Sequence, residues 1–394
     1  MGKKLTAFYS LNQAGFWMAF CISSSFAAVY LGTLGYSNTA LGALLALGST
    51  LGFLLGTALS SFVDRSPRFN AADILWLVLA FQTLFFLLLL LLFPVRSAVT
   101  SLCYPLLLAF SLTVNTLNLK LCADFEHYES PINYGVARSM GSAAYMAVSM
   151  LLGVCITRFG VRVIPIAGLA VTAVQLVANA LLGVSVVRLH KSFTALHRSP
   201  VQGRSLGVFL RESPRFCLLL IGSILIFFSH NTSSTFLINI VQHAGGNTAS
   251  MGYLSAFIAA TEVPTMLLFS RIYRRRSCVS LLRVSFIAFA AKNVALALAP
   301  GVPFLFAAEI LQAPSFGLYA PAIVAYVSLV VPYEDSAKGQ SLAFNTTTVG
   351  GILASLISGR LFDILSVPAT MCIAAAACAA GMLLACRGLE EPKP

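Results

Sequence analysis

Four ionisable side chains lie within long apolar stretches of the sequence: Arg138, Glu262, Lys292 and Glu309. A charged group at the centre of a membrane-spanning helix costs roughly 2.5–3.5 kcal/mol on insertion scales, so such groups usually face a partner or an aqueous cavity. A carboxyl group in such a place can exchange a proton, because burial disfavours its charged form. An Arg guanidinium offers a planar fork of donors to carboxylates or paired hydroxyl groups. These residue types indicate proton exchange and the binding of a polar partner.

Glu262 is the residue best suited to carry a proton, since it lies near the middle of its apolar stretch. Pro264 follows it and removes one helix hydrogen bond, which favours local bending. A structural hydrogen bond, or solute binding without proton exchange, are the alternatives for Glu262. At a rise of about 1.5 Å per residue, Lys292 and Glu309 lie at a similar depth, so we predict an ion pair between them. That pair is either a static salt bridge or part of the proton-coupling apparatus, in which case Glu262 and Glu309 are both proton-coupling residues.

Polar side chains in other apolar stretches indicate where a cavity would be lined. Residues 229–234 are all polar, and six such residues in a row cannot all face lipid. His230 among them could titrate near neutral pH or simply bond to a neighbour. We expect the substrate-binding residues to be Arg138, Asn115, Asn118, His230, Asn231, Lys292, Gln312 and Asn345.

The elements that must position these residues are long charge-free runs. Residues 5–63 and 216–261 contain no Asp, Glu, Lys or Arg, and charged residues make up 10% of the chain against about 25% in soluble domains. An α-helix needs about 20 apolar residues to cross a bilayer core, whereas the strands of a membrane barrel have only about 10. Cutting the runs at Gly, Pro and charged clusters predicts an all-α integral membrane protein with about 12 spans, numbered here in chain order.

The distribution of Lys and Arg predicts the orientation, because cytoplasmic loops carry an excess of both. With a cytoplasmic N-terminus, eighteen of these side chains fall on the cytoplasmic side and four outside: Arg96, Arg158, Arg162 and Arg360. We therefore expect both termini in the cytoplasm and a bacterial-type cytoplasmic membrane as the location. The net charge of +12 then reflects orientation and attraction to anionic lipid, and no nucleic-acid partner is expected.

A polar segment, residues 188–215, divides the spans into six and six. We predict an N-terminal six-helix bundle over 1–187, a cytoplasmic loop over 188–215 and a C-terminal bundle over 216–394. Small residues at four-residue spacing, Gly48, Gly52 and Gly56 in span two and Gly351, Ser355 and Gly359 in span eleven, allow close helix approach. We expect them to form a contact between halves that rearranges; tight packing within one half is the alternative. Pro264, Pro314 and Pro321 are expected to interrupt spans eight and ten, which would then act as gates.

Several short motifs resemble those of the major facilitator superfamily. Asp64-Arg65 after span two resembles the loop motif G-x-x-x-D-R/K-x-G-x-R/K of that superfamily, with Ser60 and Pro67 where glycines are usual. Residues 134–142, YGVARSMGS, resemble the Y-G-x-x-R-x-x-G-S segment of its lactose-permease-like branch of oligosaccharide, nucleoside and aromatic-acid proton symporters. Glu262-Val263-Pro264 resembles the E-[IV]-P element of the same branch. The resemblance implies two pseudo-symmetric six-helix bundles, alternating access, a monomer, and a gating role for the loop-motif residues Asp64 and Arg65. Gating roles are expected for Gly52 and Gly56 from their spacing and for Pro264 and Pro314 from the helix breaks.

The chain departs from lactose permease at positions that matter for its mechanism. The span-four Glu of that protein corresponds to Lys120 here, and its span-ten His and Glu fall at about Gln312 and Ser315. Its span-nine Arg falls near Lys292. Galactoside binding is therefore disfavoured, and proton coupling would have to use other carboxylates.

The expected function is import of a small polar organic solute (a sugar, nucleoside or organic acid) with proton symport. A proton-antiporting exporter of drugs or metabolites, a membrane enzyme, and a sensor that binds solute without moving it are the alternatives. No G-x-x-x-x-G-K-[ST] segment is present, so no nucleotide cofactor is expected. The nine cysteines stand singly and His230 and His243 are isolated, so we expect neither a metal site nor an enzyme.

Overall fold

The structure is a computed structural model that describes residues 2–66, 69–127, 132, 134–193 and 205–391. Pro67 and Arg68 of the loop motif, Asn133, and the 194–204 part of the predicted cytoplasmic loop lie outside the described residues, as does Lys393. No β-strand occurs in the described ranges. The α-helices are α1 (Gly2–Phe20), α2 (Ala27–Thr33), α3 (Asn38–Arg65), α4 (Ala71–Leu92), α5 (Ala98–His127), α6 (Tyr134–Phe159), α7 (Val163–Phe193), α8 (Leu206–Glu212), α9 (Pro214–Thr235), α10 (Leu237–His243), α11 (Thr248–Tyr273), α12 (Cys278–Ala297), α13 (Val302–Glu309), α14 (Leu318–Val330), α15 (Ser336–Leu353), α16 (Gly359–Ile364) and α17 (Val367–Gly388).

The described helices are long and apolar enough for a multi-pass membrane protein. Eleven helical segments could each cross a membrane, when Val302–Val330 and Lys338–Ile364 are each counted as one segment. A twelfth crossing is obtained when the bent pair Lys4–Ser25 and Ala27–Thr33, whose axes differ by 42°, is counted as one span. The prediction of an all-α membrane fold with about twelve spans is confirmed, whereas the bend in span one was not predicted.

Span one bends at a π-helical segment, Cys21–Ser25. A π turn disturbs the regular hydrogen-bond ladder of an α-helix, and two tyrosine hydroxyls connect the bent span to neighbouring helices. The Tyr104 hydroxyl donates to the Ser23 carbonyl at 3.0 Å, and Tyr30 donates to the Leu89 carbonyl at 2.8 Å. The Tyr30 and Tyr104 rings stack with centroids 5.8 Å apart. Tyrosine hydrogen bonds therefore accompany the bend, and residues 20–33 contain no proline.

The chain divides into two compact units. The first comprises Met1–His197 with Thr248–Ala256, and the second comprises Arg198–Asn247 with Phe257–Pro394. In the first unit α1 packs on α6 and α7, and α4 packs on α5 and α7. In the second unit α9 packs on α15 and α17, and α12 packs on α14 and α17. Counted in spans, the same four packing pairs recur in both units, which is the pattern that two related six-helix bundles would have.

The stripe of small residues on α3 faces α5 within the first unit. A Cβ atom at Gly48 would lie 2.9 Å from the Pro105 carbonyl oxygen, and one at Gly56 would lie 2.8 Å from the Thr116 hydroxyl. Gly52 approaches the α5 backbone in the same way. The expected contact between halves at Gly52 and Gly56 is therefore wrong. These glycines instead let two helices of one bundle approach closely, which was the alternative.

Span ten is not a continuous α-helix. After α13 ends at Glu309, a 3₁₀ turn (Ile310–Gln312) and a π-helical segment (Ala313–Gly317) precede α14. Pro314, which has no backbone N–H to donate, lies in the π segment. The interruption predicted at Pro314 is confirmed.

The interruptions predicted at Pro264 and Pro321 are wrong. Pro264 lies inside α11, which continues on both sides of it. One missing hydrogen bond does not end a helix whose ladder resumes in the next turn. Pro321 lies in the first turn of α14, the region where helices accept proline most readily.

Candidate functional site

Lys292 of α12 and Glu309 of α13 form a buried ion pair in the second unit. The Lys292 Nζ lies 3.4 Å from Glu309 Oε2, and the two side chains are 1% and 2% exposed. The predicted pair is confirmed. Nζ also lies 2.6 Å from Gln312 Oε1 and 3.3 Å from His230 Nδ1. An ammonium group has three donors, so these three contacts match its full capacity.

Gln312 connects this ion pair to Glu262 on α11. The Gln312 Oε1 accepts from Lys292, while its Nε2 donates to Glu262 Oε1 at 2.7 Å. Gln312 is 1% exposed, whereas Glu262 is half-buried. We call these five residues, Lys292, Glu309, Gln312, Glu262 and His230, the Lys292 network. In it, a single neutral amide links the Lys292–Glu309 ion pair to a second carboxyl group.

The break in span ten positions Gln312 and its neighbours. The Ser285 hydroxyl of α12 donates to the Ser315 carbonyl at 2.8 Å, so a carbonyl within the π segment stays paired. Gly317 at the end of that segment faces α11, where a Cβ atom would lie 3.3 Å from the Cα and carbonyl oxygen of Glu262. The missing side chain at Gly317 therefore lets the α11 backbone come close enough for Glu262 to reach Gln312.

His230 is held by aromatic rings on several sides. Its imidazole stacks on Phe316, with centroids 5.6 Å apart and planes 12° apart. Phe289 and Phe227 meet it edge-on at 5.6 and 6.2 Å. These contacts fix the ring plane while Nδ1 faces the Lys292 ammonium.

Two further candidates of the second unit are bonded elsewhere. The Asn231 Nδ2 donates to the carbonyls of Phe227 and Thr347 at 2.8 and 3.3 Å. Asn345 is half-buried, and its Nδ2 lies 3.5 Å from the Ser341 hydroxyl. Within the described part of the chain, the structure brings neither Asn231 nor Asn345 into the Lys292 network.

In the first unit, Arg138 lies over the ring of Trp17. The distance from its Cζ to the ring centroid is 3.9 Å, which is within the range of a cation–π interaction. One terminal nitrogen also donates to the Ser142 hydroxyl at 2.6 Å. Trp17 packs edge-on against two phenylalanines of α1, and Gly141 leaves space for its ring. The guanidinium plane is thus supported by an aromatic face.

A buried group of neutral polar residues, Tyr9, Asn12, Gln13 and Asn118, joins α1 to α5. Asn12 Nδ2 donates to Asn118 Oδ1 at 2.9 Å, the Tyr9 hydroxyl donates to the Asn118 carbonyl at 3.0 Å, and Gln13 Nε2 donates to that hydroxyl at 2.9 Å. Of this group only Asn118 was predicted, together with Asn115, which is half-buried. The spacing of three and four residues in α1 places its three polar residues on one face, and that spacing is the signal for the others.

A second neutral group was also missed. Gln82 of α4 donates to the Thr172 hydroxyl and to Gln175 Oε1 of α7 at 2.8 and 2.9 Å. Ser111 of α5 donates to Gln82 Oε1 at 3.2 Å. The interior of the first unit thus contains hydrogen-bonded amides and hydroxyls that carry no charge.

Asp64 of the loop motif pairs with Lys120 of α5. The distance from Asp64 Oδ1 to Lys120 Nζ is 2.8 Å, and Nζ also contacts Asp124 one turn further along the helix. Lys120 therefore bonds two carboxylates within its own unit. Arg65, the next residue of the motif, is exposed.

Among the described residues, no group of three or more His, Cys, Asp or Glu side chains could hold a metal ion. The nine cysteines are all free thiols in the structure. The polar side chains described on α9, α11, α12 and span ten instead form a network of hydrogen bonds and one ion pair.

Comparison with known proteins gives a family and a fold. A family model described as the MFS_1 like family matches residues 58–372. Maltose permease of Geobacillus stearothermophilus is 27% identical over 236 residues, which are 57% of this chain and 57% of that protein. A protein of Escherichia coli (strain K12) named "Probable 3-phenylpropionic acid transporter" is 27% identical over 232 residues, 56% of this chain and 59% of its own length. The chain thus matches little more than half the length of these relatives.

A crystal structure of the nucleoside transporter NupG resembles the whole chain. The TM-score is 0.75 at 14% sequence identity, with 98% of this chain and 97% of that chain covered. At that identity the likeness concerns the fold alone.

Proposed function

The chain belongs to the MFS_1-like family, and from that premise we propose that it is a secondary active transporter. It moves a small polar organic solute across a membrane by alternating access, with proton symport as the coupling. It works as a monomer in a bacterial-type cytoplasmic membrane, with both termini in the cytoplasm and the six-helix bundles divided by the 188–215 loop.

The observation that carries this proposal is the Lys292 network. Two carboxyl groups and one ammonium in membrane-spanning helices cost free energy that a merely structural helix bundle avoids by using apolar residues. With both carboxyl groups ionised the network carries one excess negative charge, and one bound proton would neutralise it. Glu262 is half-buried whereas Glu309 is sealed, so Glu262 is the group that exchanges the proton.

The solute class follows from the side chains and from the relatives. Arg138 on the Trp17 face suits a carboxylate or a pair of hydroxyl groups. One similar protein is named a maltose permease and another a 3-phenylpropionic acid transporter. We therefore propose sugars, nucleosides and aromatic carboxylates as the classes to examine.

The test is solute-induced pH change in vesicles reconstituted with the full chain. Maltose, uridine and 3-phenylpropionate are added separately to wild type, Glu262→Gln and the matched control Glu334→Gln, whose carboxylate is exposed. We expect external alkalinisation with one solute class, abolished in Glu262→Gln and retained in Glu334→Gln. Solute movement without any pH response in wild type would contradict proton symport.

Solute exchange between the two sides of the vesicle separates coupling from transport itself. Glu262→Gln should still exchange labelled solute, because a neutral amide mimics the protonated carboxyl group. If wild type moves none of the three solutes in either assay, the transporter proposal itself is contradicted for these classes.

A further inference from the structure

The contact between His230 and Lys292 determines where the imidazole carries its proton. Lys292 Nζ lies 3.3 Å from His230 Nδ1, and an ammonium group can only donate. Nδ1 must therefore offer its lone pair to Nζ. In a neutral imidazole with one accepting nitrogen, the other nitrogen bears the proton. The geometry thus requires neutral His230 with its proton on Nε2.

The second ring nitrogen is left as a donor that faces accessible space. His230 is half-buried. In the part of the chain that the structure describes, the hydrogen bond of its ring is the one at Nδ1. Nε2 has no hydrogen-bond partner in that part of the chain, and it is not fully buried. A donor without a partner that is not sealed off from solvent is available to a ligand.

The surroundings hold this donor in one orientation. The stack on Phe316 and the edge contacts of Phe289 and Phe227 fix the ring plane. Rotating the ring by half a turn would replace Nδ1 by the Cδ2–H carbon beside the ammonium and remove its acceptor, and adding a second proton would place two cations 3.3 Å apart. Both alternatives are disfavoured beside an ammonium group, and Lys292 Nζ is paired with Glu309 Oε2 at 3.4 Å.

We propose that His230 presents Nε2–H as a fixed hydrogen-bond donor to the solute, and that Lys292 is the positioning residue that sets this tautomer. The recognised chemistry is an oxygen acceptor: a hydroxyl, a carbonyl or a carboxylate of the solute. This inference rests on the proposed transport function for the existence of a solute. It gives Lys292 a role through His230, because its own three donors are already bonded within the protein.

The tautomer can be measured without any solute. Side-chain ¹⁵N spectra of the full chain in detergent, with labelled histidine, should show one residue with Nδ1 unprotonated and Nε2 protonated. That signal should vanish in His230→Phe. In Lys292→Met it should change to a mixture of tautomers or to the other tautomer. A protonated Nδ1 in wild type, or an unchanged signal in Lys292→Met, would overturn the inference.

Removal of Lys292 alone leaves Glu309 buried without its cation, so that variant can fail to fold. The double variant Lys292→Met/Glu309→Gln keeps the site neutral and serves as the second measurement. It should show the same release of the His230 tautomer. Its unchanged spectrum would count against the inference as strongly as that of the single variant.

Solute affinity gives the second readout. Binding of maltose, uridine and 3-phenylpropionate is measured with His230→Gln, whose amide nitrogen lies near the place of Nε2, and with His230→Phe, which keeps a ring but no donor. For the probe that binds wild type, we expect about tenfold weaker binding in His230→Phe and at most about a threefold loss in His230→Gln. His243→Phe is the matched control and should bind as wild type.

The two proposals fail in different ways. Wild type that neither binds nor moves any probe contradicts the transport function, whatever the spectra show. Wild-type binding that His230→Phe leaves unchanged contradicts the role of His230, while transport stands.

Discussion

The two units place different kinds of polar group in their interiors. Among the described residues of the first unit, the buried polar side chains are neutral: Asn12, Gln13 and Asn118 in one group, and Gln82 and Gln175 in another. In the second unit an ammonium and a carboxylate are equally buried, and a second carboxyl group joins them through Gln312. Neutral amides have no charge for a proton to change, whereas a proton bound by a carboxylate of the second network would change the charge of that network. Proton-dependent behaviour is therefore to be expected from the second unit.

The ion pairs of the two units also differ, in how far each pair is exposed to solvent. Lys292 and Glu309 are sealed from solvent, whereas the Asp64 side chain that bonds Lys120 is 56% exposed. Solvent screens an exposed pair and takes up a charge left behind after one partner is removed. A charge that is buried away from solvent is neither screened nor hydrated when its partner is removed, so its burial costs free energy. Three substitutions examine this contrast, beginning with the largest expected effect.

Lys292→Leu should lower the free energy of unfolding by about 3–5 kcal/mol, because it leaves the Glu309 carboxylate buried without a counter-charge. The measurement is thermal or denaturant unfolding of purified protein in detergent. Lys292→Leu/Glu309→Leu should recover most of the loss. Lys120→Leu is the control from the first unit and should cost under about 1 kcal/mol. Equal losses for Lys292→Leu and Lys120→Leu would remove the contrast between the units.

Gln312→Leu should lower the free energy of unfolding by about 1.5–3 kcal/mol, because it removes hydrogen bonds to two charged groups at once. Glu262 should also lose its connection to Lys292, so solute exchange should persist while uphill, pH-driven uptake falls. The same preparation is used for unfolding and for vesicle uptake. Gln340→Leu is a comparison at an amide outside the network. An unaltered ratio of uphill uptake to exchange in Gln312→Leu would show that the amide does not link the two groups functionally.

Asn118→Leu should cost about 1 kcal/mol, because the amide nitrogen of Asn12 loses its acceptor but no charge is left behind. The double variant Asn12→Leu/Asn118→Leu should be closer to wild type, since replacing both partners leaves neither one unpaired. Unfolding in detergent is again the measurement. A loss for Asn118→Leu as large as that for Lys292→Leu would mean that the neutral interior is as sensitive as the charged one.

The sequence predicted the charged pair because helix rise and apolar boundaries set the depth of a residue, and Lys292 and Glu309 are at matching depths. It could not predict the role of Gln312, because that depends on the 3₁₀ turn and π segment, which change the direction of side chains without changing composition. The spacing of Gly48, Gly52 and Gly56 indicated a close helix contact. Spacing alone does not say which helix makes the contact, and the partner proved to be α5.

The membrane architecture followed from charge-free runs because their length is a direct consequence of bilayer thickness. The positions at which helices bend or break were harder to predict from the sequence. Span one bends where Ser23, Tyr30 and Tyr104 meet, residues that are far apart in the sequence or ordinary in an apolar run. Pro264 is conspicuous in the sequence but does not interrupt its helix. One absent hydrogen bond is too local a change to end α11.

The π segment of span ten also alters the phase of the helix. Successive residues of an α-helix are about 100° apart around the axis, and a π turn accommodates one additional residue. The 3₁₀ turn before it, with about 3 residues per turn, rotates the chain in the opposite sense. The direction of the side chains on α14 therefore depends on both irregular segments together. Deletion of a single residue there would re-aim the whole of α14 while leaving its composition almost unchanged.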